Sequence, residues 1–190
     1  MWYTLRMETM EKDMRNTNLK KTKKPTMILM CGIARCGKSS WVKNFVKKHP
    51  SYCVVATDDI RKRIFGHQYH AAADPIIFSM AKAMAEILLA QGKDVIIDAT
   101  LINKHFRSEW RAVARRTDAK VTVVWVYSDP DIIKNVEIAK RHNAKSPKGE
   151  RLPVSAIERM GAYFESPDRD IAATVLPWFT LKEVHNKERK

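Results

Sequence analysis

Residues 27–40 read Met27-Ile28-Leu29-Met30-Cys31-Gly32-Ile33-Ala34-Arg35-Cys36-Gly37-Lys38-Ser39-Ser40. Gly32 to Ser39 satisfies G-x-x-x-x-G-K-[ST] at every fixed position. Two glycines let the backbone curl until successive N–H groups converge on one anion. Lys38 then reaches the β- and γ-phosphates, and the Ser39 hydroxyl is placed to ligate Mg²⁺. A helix beginning near Gly37 points its positive end at the same phosphates. The motif alone would also fit a glycine turn with a surface lysine. Its flanks decide: Met27–Cys31 is an apolar run of buried-strand type, and Trp41, Val42 and Phe45 form an apolar face on a following helix. The expected site is therefore a cradle for ATP or another NTP with Mg²⁺. It is built by Gly32, Ile33, Ala34, Arg35, Cys36, Gly37, Lys38, Ser39 and Ser40.

Beyond that stretch, strand and helix signals alternate. Tyr52–Ala56, Asp94–Asp98, Val121–Tyr127 and Thr174–Leu181 read as strands, with Pro177 assigning the last to an edge or bulge. Asp58 to Phe65 predicts a short helix stopped by Gly66. Ile76, Ile77, Met80, Met84, Ile87 and Leu88 predict an apolar helix face, with Gly92 as its stop. Asn103 caps a helix facing inward through Phe106, Trp110, Val113 and Ala114. Asp129-Pro130 opens another, with Ile132, Ile133 and Val136 inward, and Pro153 opens a third through Ile157, Met160 and Phe164. Short apolar strands between helices imply an α/β fold: a mainly parallel sheet of about five strands with helices on both faces. Ligands of such sheets bind at the carboxyl ends of the strands, so Gly32–Ser39, Thr57–Arg61, Asp98–Asn103 and Tyr127–Asp129 are expected along one rim.

Three segments are expected: a basic extension over residues 1–26, partly helical between Thr4 and Arg15; a phosphate-binding domain over 27–181; and a charged tail over 182–190. The net charge is +14, of which the extension holds +4, leaving +10 on residues 27–190. This favours polyanionic partners such as nucleic acid. The three cysteines have no zinc spacing and predict a reducing, cytoplasmic setting. No apolar run reaches membrane-spanning length, so no membrane partner is expected.

Several residues at the rim could carry chemistry. Asp58 follows the second strand and can serve as base for an attacking hydroxyl, or merely as a helix N-cap. Arg61 lies one turn on, on the same face, and can bind an acceptor anion. Asp98 ends the third strand, as a Mg²⁺ carboxylate or a simple strand stop. Thr100 can donate to substrate. Lys104, Arg107, Arg111 and Arg115 recur at helical spacing, as a track for phosphodiesters or an ordinary solvated face. The basic loop over 141–152 is expected to close as a lid, bringing an arginine onto the transferring phosphoryl group.

The chain resembles the P-loop polynucleotide 5′-hydroxyl kinases of bacteriophage type, within the wider P-loop kinase group. The matching residues are Gly32–Ser39 with Trp41, Asp58-Asp59-x-Arg61, Asp98-x-Thr100 with Arg107, and Arg141-x-Asn143 followed by Gly149-Glu150-Arg151-x-Pro153. They span about 27 to 167. The resemblance implies a P-loop kinase-like three-layer sandwich with a mobile lid. It implies γ-phosphoryl transfer from ATP to a 5′-hydroxyl of DNA or RNA. Asp58 would activate the hydroxyl, Arg61 would contact the acceptor end, and a lid arginine would stabilise the transferring phosphate. Where the family carries that arginine, this chain reads Ala144-Lys145-Ser146, so Lys145, Arg141 or Arg151 takes the role. The competing readings are a P-loop kinase of a small molecule and a non-catalytic nucleotide-binding module.

Overall fold

The five strands of the sheet all run parallel, in the order β2-β3-β1-β4-β5. The structure is a computed structural model and describes residues 23–66, 71–171 and 179–185. The strands are β1 (Thr26–Cys31), β2 (Cys53–Ala56), β3 (Val95–Asp98), β4 (Lys120–Tyr127) and β5 (Phe179–His185). The helices are α1 (Lys38–Lys48), α2 (Thr57–Phe65), α3 (Asp74–Ala90), α4 (Lys104–Arg116), α5 (Ile132–Lys145), α6 (Val154–Ala162) and α7 (Asp168–Ile171). The central strands are runs of branched and long apolar residues, because helices cover both of their faces.

Alternate residues of β1 therefore enter two cores. Met27, Leu29 and Cys31 join Val55, Ile60, Ile77, Trp110 and Val113 on the side of α2, α3 and α4. Ile28 and Met30 join Val42, Ile96, Val124, Ala139 and Ile157 on the side of α1, α5 and α6. This is the expected three-layer sandwich, a P-loop kinase-like fold. The chain moves outward from β1 to β2, then returns by β3 to β1's flank and crosses to β4. The switch of direction puts a crevice at the carboxyl end of β1, where Gly32 begins. Among the described residues, no helix is long and apolar enough to cross a membrane.

Several expectations need correction. Helix α3 buries only part of the face expected of it: Ile77 is buried and Leu88 packs against the core. It packs through Ile77, Ala81, Ala85 and Leu89, while Ile76, Met80, Met84 and Ile87 are exposed. The two alanines let the helix backbone approach the sheet closely, and hydropathy counting favours the bulkier stripe instead. On α5, Ile132 and Val136 pack inward, but Ile133 is exposed. That helix begins after Asp131, whose carboxylate accepts from the Ile133 N–H at 2.9 Å. Asp58 is not an N-cap either: α2 starts at Thr57, capped by Ala56 without a side-chain bond.

At the amino end, β1 starts at Thr26, whose N–H donates to Asp94 Oδ1 at 2.6 Å. At the other end, β5 runs through Lys182 and Glu183, so the strand extends into the expected tail. The expected helix between Thr4 and Arg15, and Thr174–Trp178 of the expected last strand, lie outside the described residues.

The largest departure concerns the basic stripe on α4. Lys104 and Arg115 are exposed, but Arg107 is fully buried and Arg111 nearly so. Arg107 Nε donates to Asp170 Oδ2 at 2.6 Å, and Nη2 to Asp170 Oδ1 at 3.1 Å. Its remaining N–H groups reach the carbonyl oxygens of Leu101 and Glu165, both at 2.9 Å. Arg111 Nη1 also reaches Asp170 Oδ2, at 3.1 Å. Burial works against the Arg107 charge, but Asp170, Cys31 and Glu165 together outweigh it and hold the guanidinium's pKa above its ordinary value. Arg107 is thus a strut between α4 and α7, enclosed by protein groups rather than presented to an acceptor as expected. Arg107→Ala leaves Asp170 buried without its main partner and is expected to cost about 3–5 kcal/mol of stability. Denaturant unfolding checks this. An unchanged midpoint with weakened acceptor binding would return Arg107 to the acceptor surface.

Candidate active site

The loop after β1 takes its shape from three left-handed or unusual backbone positions: Gly32 at φ 142°, Arg35 at φ 64° and Gly37 at φ 99°. A Cβ on Gly32 would overlap the Val126 carbonyl oxygen of β4, so only glycine lets the loop turn this close to the sheet. Gly37 caps α1, and Lys38 is the first residue of that helix. The Lys38 side chain folds back under the loop. Its Nζ donates to the carbonyls of Gly32 at 3.0 Å and Ile33 at 2.7 Å. The ammonium thus sits at the centre of curvature, beside the positive end of α1.

Above this loop opens a cleft of about 690 Å³. Ala34, Arg35, Gly37, Lys38, Ser39 and Ser40 line its floor. Gly32, Ile33 and Cys36 are buried beneath and shape the backbone. One wall holds Asp58, Asp59 and Arg61 of α2, and the back holds Asp98 and Thr100 from the end of β3. Thus three of the four expected rim segments supply the cleft.

Asp98 has its pKa raised, chiefly because burial penalises its charged form. A hydrogen bond from Ser39 and the charge of Lys38 oppose the shift, while Asp58 and Asp59 add to it. Ser39 and Asp98 are therefore within reach of one another. Among the described residues no group of three His, Cys, Asp or Glu side chains forms a metal cluster. A hydroxyl and one carboxylate nevertheless fit Mg²⁺, which takes one or two protein oxygens and completes its shell with phosphates and water. Below the ordinary carboxylate pKa, Asp98 is neutral in both folded and unfolded chains. Between that value and the raised one, only the folded chain keeps the proton, so stability falls as pH rises through this window. Asp98→Asn removes that cost. The variant is expected to melt above wild type at neutral pH without nucleotide, with the gap closing in acid, and to lose Mg²⁺-dependent activity. Melting temperature against pH checks the first claim, and a variant melting lower at pH 7 contradicts it.

The remaining wall is the expected lid, and here the boundaries shift. Arg141, Asn143 and Lys145 belong to α5 rather than to a loop. The connecting segment is Ser146–Pro153, with a single 3₁₀ turn over Lys148–Glu150. Asn143 brackets it, donating to the Leu152 carbonyl at 2.8 Å and accepting the Leu152 N–H at 3.0 Å. Arg35, on the phosphate loop itself, donates to the Glu150 carbonyl. Of the lid candidates, Arg151 lines the cleft, with Nε on the Ser146 carbonyl at 2.7 Å. Arg141 and Lys145 are not among the cleft residues. The helix extends past Arg141 because Arg141–Lys145 contains no breaker, and Pro147 is the first residue that cannot continue it.

Sequence reasoning missed three participants. Asp74, the first residue of α3, receives Arg61 Nη2 at 2.5 Å, while Nη1 of the same guanidinium reaches Asp58 Oδ1 at 2.6 Å. His142 lines the cleft with Nδ1 3.3 Å from the Arg35 carbonyl. Lys62 lines it from α2. Only the pairing of Asp74 with helix-opening Pro75 offered a local signal, and that signal speaks of a helix start, not of a partner for Arg61. Cys31 and Cys36 lie under the loop. Burial pushes the Cys31 thiol up to about 12, so it is a neutral packing group.

Residues 27–167 match the AAA domain family. Among solved structures, the chain is similar to a chain of the Pnkp1/Rnl/Hen1 RNA repair complex, with a TM-score of 0.61 and 21% identity, over 78% of this chain. It spans 46% of the length of that repair chain. It is similar to Kti12 of Chaetomium thermophilum in complex with ADP-AlF3, with a TM-score of 0.58 and 16% identity over 86% and 91% of the two chains. It is similar also to a gluconokinase from Sinorhizobium meliloti, with a TM-score of 0.50 and 15% identity over 86% and 84%. At these identities the likenesses establish a shared fold.

Proposed function

The chain belongs to the AAA domain family, and on that ground we propose that it is an ATP-dependent kinase that phosphorylates the 5′-hydroxyl end of a polynucleotide. The observation that carries this reading is the joint lining of one cleft by a phosphate loop and by the Asp58/Arg61 pair. A protein that only binds nucleotide has no need of the second element. Asp58 is 92% exposed to the cleft and can take a proton from an incoming hydroxyl. The acceptor oxygen then forms a bond to the γ-phosphorus as the bond to the β,γ-bridging oxygen breaks. Lys38 holds the β- and γ-phosphates in line, and Arg151 faces the charge that spreads over the γ-oxygens. Ser39 and Asp98 would hold Mg²⁺, which when bound neutralises phosphate charge.

The acceptor class is favoured by charge. Residues 27–190 carry +10, and Arg61, Lys62 and Arg151 line the cleft. The RNA-repair likeness supports the same acceptor class, whereas the gluconokinase likeness supports the small-molecule alternative. The deciding experiment offers labelled ATP to 5′-hydroxyl DNA, 5′-hydroxyl RNA and a panel of nucleosides and sugars. For an oligonucleotide acceptor, its Michaelis constant is expected to climb steeply with salt. Lys62→Ala is expected to flatten that log–log slope by about one unit. A salt-independent constant, unaltered by Lys62→Ala, favours the small-molecule kinase.

A further inference from the structure

We infer that Asp74 is a positioning residue that holds Arg61 at the acceptor end of the cleft, and that Asp58 is the partner Arg61 gives up when the acceptor arrives. The inference rests on the kinase reading above, and it concerns a residue outside the phosphate loop, the Asp58/Arg61 motif and the lid.

One guanidinium is shared by two carboxylates of unequal standing. Arg61 itself is 13% exposed, Asp74 is 35% exposed and Asp58 is 92% exposed. Water and salt compete strongly for the Asp58 contact and far less for the Asp74 contact. The mounts differ as well. Asp74 opens a 17-residue helix, with Pro75 directly behind it, and Ile77, Ala81, Ala85 and Leu89 bury that helix in the core. Asp58 instead stands in the first turn of α2, one turn before Arg61 on the same helix. Arg61 Nη2 is thus tied to a fixed post on another element, while Nη1 holds a solvent-facing group.

This division suits an exchange. Nη1 can trade the Asp58 oxygen for an oxygen of the acceptor while Nη2 stays on Asp74. The freed Asp58 oxygen is then the one to receive the hydroxyl proton. The O–H bond breaks toward Asp58, the acceptor O–P bond forms, and the bridging oxygen leaves with ADP. Without Asp74 the guanidinium would lose its tie to α3, and its Nη1 contact with Asp58 would set the base and the anion-binding group on each other rather than on the acceptor.

Two measurements test this. The first needs no activity. In protein labelled with ¹⁵N-arginine, with the Arg61 signals identified by their loss in Arg61→Lys, hindered Nη rotation is expected in wild type. It should persist in Asp58→Ala and vanish in Asp74→Ala. The reverse pattern overturns the inference. The second is a double-mutant cycle on phosphorylation of a 5′-hydroxyl oligonucleotide. Asp74→Ala is expected to raise the acceptor Michaelis constant about tenfold, the worth of one charge-assisted hydrogen bond, and to leave that for ATP unchanged. Asp74→Asn, which keeps an acceptor oxygen, should recover part of the loss. In an Arg61→Ala background, Asp74→Ala should add nothing, whereas a merely structural role would add its full effect there. If wild type labels a sugar or nucleoside and no oligonucleotide, the polynucleotide reading falls, and the same cycle is read on that acceptor. If it labels nothing, the kinase reading falls and the arginine signals alone decide the role of Asp74.

Discussion

Lys38→Ala is expected to abolish phosphoryl transfer, with a loss of at least ~10²–10³-fold from the one removed donor and more where the nucleotide is no longer held in line. The lysine is nearly buried, and its ammonium is held by the carbonyls of Gly32 and Ile33 at the focus of the loop. Among the described residues no other ammonium stands under the loop to replace it; Lys43 and Lys62 line the cleft. The structure also refines the expected cost to the fold. Because Lys38 satisfies loop carbonyls, truncation should lower stability by about 1 kcal/mol, the worth of an ordinary hydrogen bond, and leave the sheet intact. Labelled transfer and thermal melting on the same preparation check both parts. A folded variant with undiminished transfer removes Lys38 from the mechanism.

Asp58→Asn is expected to lower turnover by ~10²–10⁴-fold, the usual contribution of a positioned base. The substitution keeps size and hydrogen-bonding oxygen but cannot take up the proton of the acceptor hydroxyl. Asp58 does not cap α2 and is almost fully exposed, so stability should scarcely change. ATP binding should be close to wild type, because the proposed nucleotide cradle, Ala34, Arg35 and Gly37 to Ser40, lines another part of the cleft. The neighbouring Asp59 is the control, since it lines the same cleft. An active Asp58→Asn beside an inactive Asp59→Asn would move the base by one residue.

The shape of the loop after β1 was legible because it is set by backbone chemistry. Gly32 and Gly37 occupy conformations that other residues resist, and Lys38 and Ser39 follow at spacings set by the loop itself. The position of Asp58, Arg61, Asp98 and Thr100 at the rim of the cleft was legible for a related reason. Each closely follows a strand, and a parallel sheet delivers all strand ends to one edge. Capping by Asn103, whose Oδ1 accepts the Phe106 N–H at 2.9 Å, was likewise a matter of a few residues.

The failures share a cause of opposite kind. Arg107 and its neighbours on α4 form a basic stripe by spacing, yet Arg107 is enclosed by Asp170, 63 residues away, which no local pattern announces. The helix over Asp74–Ala90 offers two apolar stripes, and the choice between them depended on how closely a sheet could approach Ala81 and Ala85. Arg61 has its motif partner one turn away, but its better-sheltered partner, Asp74, arrives on another helix. Local chemistry thus settles backbone-made features: glycine turns, caps and the strand ends where a site must lie. Which charge is buried, which face of a helix is covered and which carboxylate holds an arginine depend on desolvation and close contact between distant elements. Those terms exist only once the chain has folded.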